Sequence, residues 1–168
     1  CDSIWRQGGD TSFYGVGSMR EKWITYRDMI TYSRIVKRGP LYPLNSMMFH
    51  GLVIGDVHYP KKMELDETSV RHEIRAAFGC GSGLLELYIT PRLLTTQMWD
   101  DIAESAKWYR SNEEVFVDTH WIGGYPNHLE VYGWASWSPQ KGALTLRNPN
   151  EVAQTYQLDI GKAFELPA

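Results

Sequence analysis

Three carboxylates in the chain have neighbours that give them a chemical reason to be where they are. Asp10 follows Trp5-Arg6-Gln7-Gly8-Gly9, at the exit of an expected strand and before a helix. Paired glycines let the backbone turn sharply there and bring an acid against a bound ligand. Glu86 lies inside LLELYIT (84–90), an apolar run in which a carboxylate is costly without a partner, water or ligand. A salt bridge to Arg75 or Arg92 is the alternative to a ligand contact. Asp118 opens Asp118-Thr119-His120-Trp121, just past the last expected helix, and suits polar glue between two units better than catalysis. A protonated carboxyl can help a leaving oxygen depart and an ionised one can attack or activate water, so paired acids are the chemistry to look for.

Other chemistries find less support. His50, His58, His72, His120 and His128 form no H-x-x-x-H pair and have no cysteine close in sequence, so a catalytic zinc is not expected. His50 ends the run LYPLNSMMFHG (41–51), where it either serves a site or is a satisfied, partly buried histidine. Ser82 sits in G-S-G rather than in a nucleophile elbow. Cys80 has no basic neighbour or helix N-terminus to generate a thiolate. The glycines of GCGSG (79–83) follow a helix and precede a strand, the reverse of a phosphate-binding loop, and read as a helix-to-strand connection.

The elements that must carry these residues change character along the chain. Residues 23–37 read as a helix with Trp23, Tyr26 and Ile30 on one stripe, closed by Lys37, Arg38, Gly39 and Pro40. The apolar run 41–51 reads as a strand covered on both faces, as parallel strands are, and 56–68 as a surface loop. Residues 69–78 form a second helix, 84–90 a second strand, and a third helix starts behind Thr95 or Thr96 and stops near Asn112. Beyond it the period falls from 3.6 to 2. Residues 129–137 alternate, and 143–147 and 155–160 look like further strands between turn segments. Two units are expected: α/β over 1–112 and antiparallel β over 113–168.

Composition removes several function classes. The net charge of −3, with Lys and Arg dispersed, gives no electrostatic footprint for nucleic acid. No apolar run approaches the roughly 20 residues of a membrane span, and two cysteines build neither a disulfide framework nor a zinc quartet. Seven Trp and ten Tyr are permissive of sugar stacking.

Taken together, WRQGGDTSFYG, WITYRD, LYPLNSMMFHG, GSGLLELYITP, DTHWIGGYPN, YGWASWSP and LTLRNPN resemble the C-terminal part of bacterial glycoside hydrolases of the α-galactosidase type. The resemblance implies a (β/α)₈ barrel followed by an antiparallel β domain, of which this chain holds the last three strand–helix units and the β domain. Three such units cannot close a barrel of eight, so the N-terminal part of the same barrel is expected to lie upstream. In that superfamily an aspartate at the fourth strand end is the nucleophile and one at the sixth is the acid/base. Counting back from residue 112 makes 84–90 strand eight and 41–51 strand seven, which matches Asp10 to the acid/base. The acid more often follows a Ser in relatives, whereas Asp10 follows Gly8-Gly9; Asp2 is the other candidate. The resemblance further implies a retaining, two-carboxylate reaction on an α-linked, galactoside-like sugar, with the nucleophile upstream. Trp5, Arg6, Asn45, His50 and Glu86 would contact the sugar. No cofactor is needed, carbohydrate is the only partner, and an extracytoplasmic setting is expected.

Two other classes compete: a non-catalytic carbohydrate-binding protein on the same scaffold, and a self-contained β-rich interaction domain. The two-unit organisation has a direct test. Limited proteolysis is expected to cut near residue 112 or within 56–68 before it cuts within 129–160; early cleavage inside YGWASW would move the boundary.

Overall fold

The computed structural model describes residues 12–55 and 63–167. The chain is mixed α/β, with a two-stranded parallel sheet and a three-stranded antiparallel sheet. Helix α1 (Met19–Arg34) starts earlier than its apolar stripe indicates. Ser18 caps it by accepting from the Glu21 amide at 3.1 Å, and the Glu64 carboxylate accepts from the Met19 and Arg20 amides at 3.1 and 3.2 Å. Amides left bare by the first turn are thereby satisfied, and an anion sits at the positive end of the helix. A short 3-10 turn then runs to Gly39, which takes φ 69° as the expected left-handed terminator.

Strand β1 (Met48–Ile54) lies later than the run 41–51 indicates. Pro40 and Pro43 supply no amide to a ladder, and residues Leu44–Ser46 close a 3-10 turn through Met47 N–H to Leu44 C=O. Pairing can begin only after that turn. Helix α2 (Glu67–Gly79) returns the chain, and β2 (Leu84–Ile89) lies parallel to β1 with a register irregularity between Phe49 and Leu52. Residues 79–83 are the helix-to-strand connection expected of them. A Cβ on Gly79 would run into the side chain of Thr145, so glycine is what lets the end of α2 close on the second sheet. Helix α3 (Thr96–Arg110), capped by Thr95, packs beside α2, and Arg71 holds Asp101 across the pair at 2.9 Å.

After residue 112 the chain forms β3 (Thr119–Gly123), β4 (Tyr132–Ser138) and β5 (Lys141–Arg147), paired antiparallel in that order. The expected strand at 129–137 begins three residues late, because Leu129 takes the left-handed conformation at φ 56° and ends a 3-10 turn. The expected strand at 155–160 is not formed: Asp159 caps a single helical turn, α4 (Ile160–Ala163). β3 carries Thr119, His120 and Trp121 of the segment read as polar glue. Its Thr119 hydroxyl meets Ser136 at 2.8 Å across the sheet. Leu52, Ile54, Val70, Ile74, Met98 and Ile102 pack into one core, and Trp134 of β4 enters it, so the second sheet shares the first unit's interior. No closed barrel is formed by the described residues.

The start of α2 yields a measurable consequence. Asp66 accepts from the Ser69 amide at 2.8 Å, and this bond holds its carboxyl below the ordinary range against the opposing effect of burial. Replacing Asp66 with Ala should cost about 1 kcal/mol in urea unfolding at neutral pH. A depressed acid stabilises above its unfolded pKa, about 3.9, and loses that contribution as pH falls through the folded value. The gap between wild type and Asp66→Ala should therefore persist above about pH 4 and close below it. A gap that stays constant down to pH 2 would assign it to something other than the ionised cap.

Candidate functional site

The described structure brings few of the sequence-predicted residues together. Asp10, Trp5 and Arg6 lie outside the described residues, as does the side chain of His50. His50 itself is the third residue of β1 rather than its last, so it does not stand at the strand's C-terminal end. Asn45 precedes β1 in the 3-10 turn. Its carbonyl accepts from the Gly83 amide at 2.7 Å, and its side-chain amide donates to the carbonyls of Phe116, at 3.1 Å, and Val117. These bonds tie the entrance of the parallel strands to the segment leading into β3.

Glu86 is mid-strand in β2 and accepts from the Tyr88 hydroxyl at 2.9 Å. Alternation puts Leu84, Glu86 and Tyr88 on one face of β2 and Leu85 and Ile89 on the other. Leu85 and Ile89 pack on the core under α2 and α3, whereas Leu84 and Tyr88 are 43% and 45% exposed. The Glu86 carboxylate thus belongs to the face of the parallel pair that faces away from the helices.

The densest polar constellation was not among the predicted residues. In α1, Glu21 and Asp28 are two turns apart and point toward the β4–β5 hairpin, where Tyr132 and Arg147 are direct cross-strand partners. Arg147 donates to the Glu21 carboxylate at 2.7 Å, the Glu21 carbonyl at 3.1 Å, the Thr25 hydroxyl at 3.0 Å and the Tyr132 hydroxyl at 2.9 Å. Tyr132 donates in turn to Asp28 at 2.6 Å. The second Glu21 oxygen meets His72 of α2 at 2.7 Å. Trp121 of β3 stacks on the Tyr132 ring, centroids 4.9 Å apart and the ring planes nearly parallel. The group borders a cleft of about 260 Å³ between α1, α2 and the hairpin.

Its electrostatics favour holding over reacting. Burial pushes the Tyr132 phenol well above its usual value, and the Asp28 charge adds to that against the opposing effect of Arg147. Burial alone would weaken the Arg147 charge, but Tyr132, Glu21 and Asp28 carry its pKa above the ordinary guanidinium value. The Tyr132 phenol is thereby kept neutral and the Arg147 guanidinium charged, and both are bonded in those states. No signal in the primary structure joins Tyr132 to Asp28, 104 positions away. The only hint was an acid at position 28 beside the apolar stripe of α1.

Two further polar pairs lie on the inner face of α1. Arg20 and Glu73 form a fully buried ion pair. Glu73 also accepts from the Val53 amide at 3.3 Å, and Arg20 donates to the Val53 carbonyl at 3.3 Å. Ile54 bonds across to β2 through Thr90, so Val53 presents the opposite edge of β1, and here side chains satisfy that edge. Arg27 lies 3.8 Å over the Phe49 ring with its Nε toward Asp28 at 3.4 Å, and its two terminal nitrogens have no hydrogen-bond partner among the described residues. The described residues also contain no group of three or more His, Cys, Asp or Glu able to hold a metal ion, and no helix long and apolar enough to cross a membrane.

The Arg147 network should be essential to stability. Arg147→Met leaves two carboxylates facing an apolar chain, which is expected to cost about 3–5 kcal/mol. Tyr132→Phe, which strands Asp28 of one donor, should cost about 1–3 kcal/mol. Because the two side chains share a bond, the double variant should lose less than the sum. Urea unfolding of the three proteins measures this; strict additivity would mean that the residues act separately.

Compared with known proteins, the chain matches no family model, no curated protein and no solved structure.

Proposed function

We propose that this chain is the C-terminal part of a glycoside hydrolase of the α-galactosidase type, in which a larger (β/α) barrel hydrolyses an α-linked, galactoside-like sugar by a retaining, two-carboxylate mechanism. The observation that carries the reading is the one-sided parallel pair. Parallel strands are ordinarily buried on both faces, yet α2 and α3 cover only one face of β2, and on the other Leu84 and Tyr88 remain 43% and 45% exposed. Further strands of the same sheet would cover such a face and pair such an edge. The order helix, strand, helix, strand, helix, then antiparallel sheet agrees with the end of a barrel followed by a β domain. The terminal nitrogens of Arg27 are buried without a hydrogen-bond partner among the described residues, so polar groups outside those residues are needed to satisfy them.

On this reading the open face of β2 lines the barrel interior, and Glu86 with Tyr88 contributes to it below the catalytic level. Asp10 would supply the acid/base at the end of the strand that precedes β1, and the nucleophile would come from upstream. The acid protonates the departing glycosidic oxygen while the nucleophile attacks the anomeric carbon, and a retaining pair stands about 5–5.5 Å apart. Trp5, Arg6 and His50 would position the sugar. Asn45 would act one step further away, because its amide is held by Phe116 and Val117.

A non-catalytic carbohydrate-binding protein is the second reading, favoured by the side-chain satisfaction of the Val53 edge, which limits where a neighbouring strand can pair. The Asp10→Asn substitution in the complete protein decides between them. It keeps shape and removes the proton donor, so turnover of an unactivated α-galactoside should fall about 10²–10⁴-fold. Cleavage of an activated aryl α-galactoside, whose leaving group needs little protonation, should suffer less. Normal turnover on both substrates would transfer the role to another residue, with Asp2 the next to test. No turnover by the unsubstituted protein would favour the binding reading.

A further inference from the structure

A second cleft, of about 390 Å³, adjoins the first and shares Arg75, Thr145 and Leu146 with it. The two form one furrow between α2 and β5 that ends against the last turns of α3. A volume of this size falls within the range of small-ligand sites. Its position is informative. Gly79, where α2 ends, lines it, so it lies at the end of the strand–helix units where β2 begins, opposite the C-terminal strand ends that carry the proposed chemistry.

The lining combines an aromatic platform with bare polar groups. Trp108 is 40% exposed, and its ring is set edge-on against Phe116 at 5.3 Å, which fixes its orientation. Phe78 and the 43% exposed Leu146 continue the apolar floor. Around them stand Arg75, Glu104 and Ser105, none of which makes a side-chain hydrogen bond or ion pair with another described residue. Elsewhere on the same helices such groups are paired, as Arg71 is with Asp101 and His72 with Glu21. One cation, one anion and one hydroxyl beside a tryptophan face offer no net charge for an ionic ligand. They offer donors and acceptors at the rim of an apolar surface, the complement of a neutral polyol with one C–H-rich face.

We infer that this furrow is a carbohydrate-binding site separate from the hydrolytic one, with a sugar ring stacked on Trp108 and its hydroxyls bonded by Arg75, Glu104 and Ser105. It rests on the carbohydrate reading of the protein but not on the identity of the acid. Its effect is to hold the polymer near the enzyme without presenting a bond for cleavage.

The test is affinity electrophoresis of the chain through gels containing galactomannan, with the same gels lacking polysaccharide as reference. Wild type should be retarded, and Trp108→Ala should lose at least 10-fold in apparent affinity while keeping its thermal melting profile. Trp108→Phe should retain most of the retardation, because it keeps a stacking face. Should Trp108→Ala not fold, Glu104→Gln and Arg75→Ala at the exposed rim answer the same question, each expected to weaken retardation several-fold. Unretarded wild type, or retardation unchanged in all of these variants, overturns the site. Neither result touches the hydrolase reading, which stands or falls on turnover of a small aryl galactoside by the complete protein. Loss of galactomannan retardation in Trp108→Ala with unchanged aryl galactoside turnover separates the two sites.

Discussion

The guanidinium of Arg147 is the point at which the two halves of the molecule are fastened. It reaches α1 through the Glu21 carboxylate, the Glu21 carbonyl and the Thr25 hydroxyl, and it holds the Tyr132 phenol that Asp28 receives. A planar fork with several fixed donors can satisfy such a set at once, which a lysine could not. Because Tyr132 and Arg147 are cross-strand partners, the clamp fixes the β4–β5 register as well as its docking. Trp121 and Trp134 are then set by the Tyr132 ring and by each other, and Trp134 carries the contact into the core of the parallel unit. The hydrophobic packing between the units is thus aligned by a polar bond set that tolerates one geometry.

The parallel unit has the opposite character. Its helix side is packed with aliphatic side chains, and its other side exposes Leu84 and Tyr88 beside Glu86. An amphipathic sheet of two strands has little to gain by standing alone. The proposal of a larger barrel follows from that imbalance, whereas the β1 edge at Val53, closed by Arg20 and Glu73, sets a local condition that any neighbouring strand has to meet.

How much of this was legible varies with the range of the forces involved. The helices were readable because caps and periodicity are local: Thr95, Gly39 and the stripes of α2 and α3 stand where their roles require. β1 was misplaced because apolar character was weighed above the two prolines that delay pairing, and β3 was missed because five residues that run into a Gly-Gly pair make a weak alternating signal. Residues 155–160 have strand composition but no partner strand, and Asp159 turned their end into a helix. The clamp was illegible in principle, since it joins residues separated by more than 100 positions through groups that each have a bland local reading. Of the expected site, Asn45 and Glu86 are placed with their side chains, one in a backbone-binding role and one on the open sheet face.

The inner face of α1 buries Arg20, Arg27, Asp28 and Thr31 beside Trp23 and Ile24. Exposing apolar surface raises the heat capacity of unfolding, and exposing polar surface lowers it. A helix that hides charge where hydrocarbon is usual therefore subtracts from that increment, and the free-energy curve of the chain against temperature becomes broader and flatter. Hydration of such ions also grows less favourable as water warms, so the same buried groups are less of a burden at high temperature than at low.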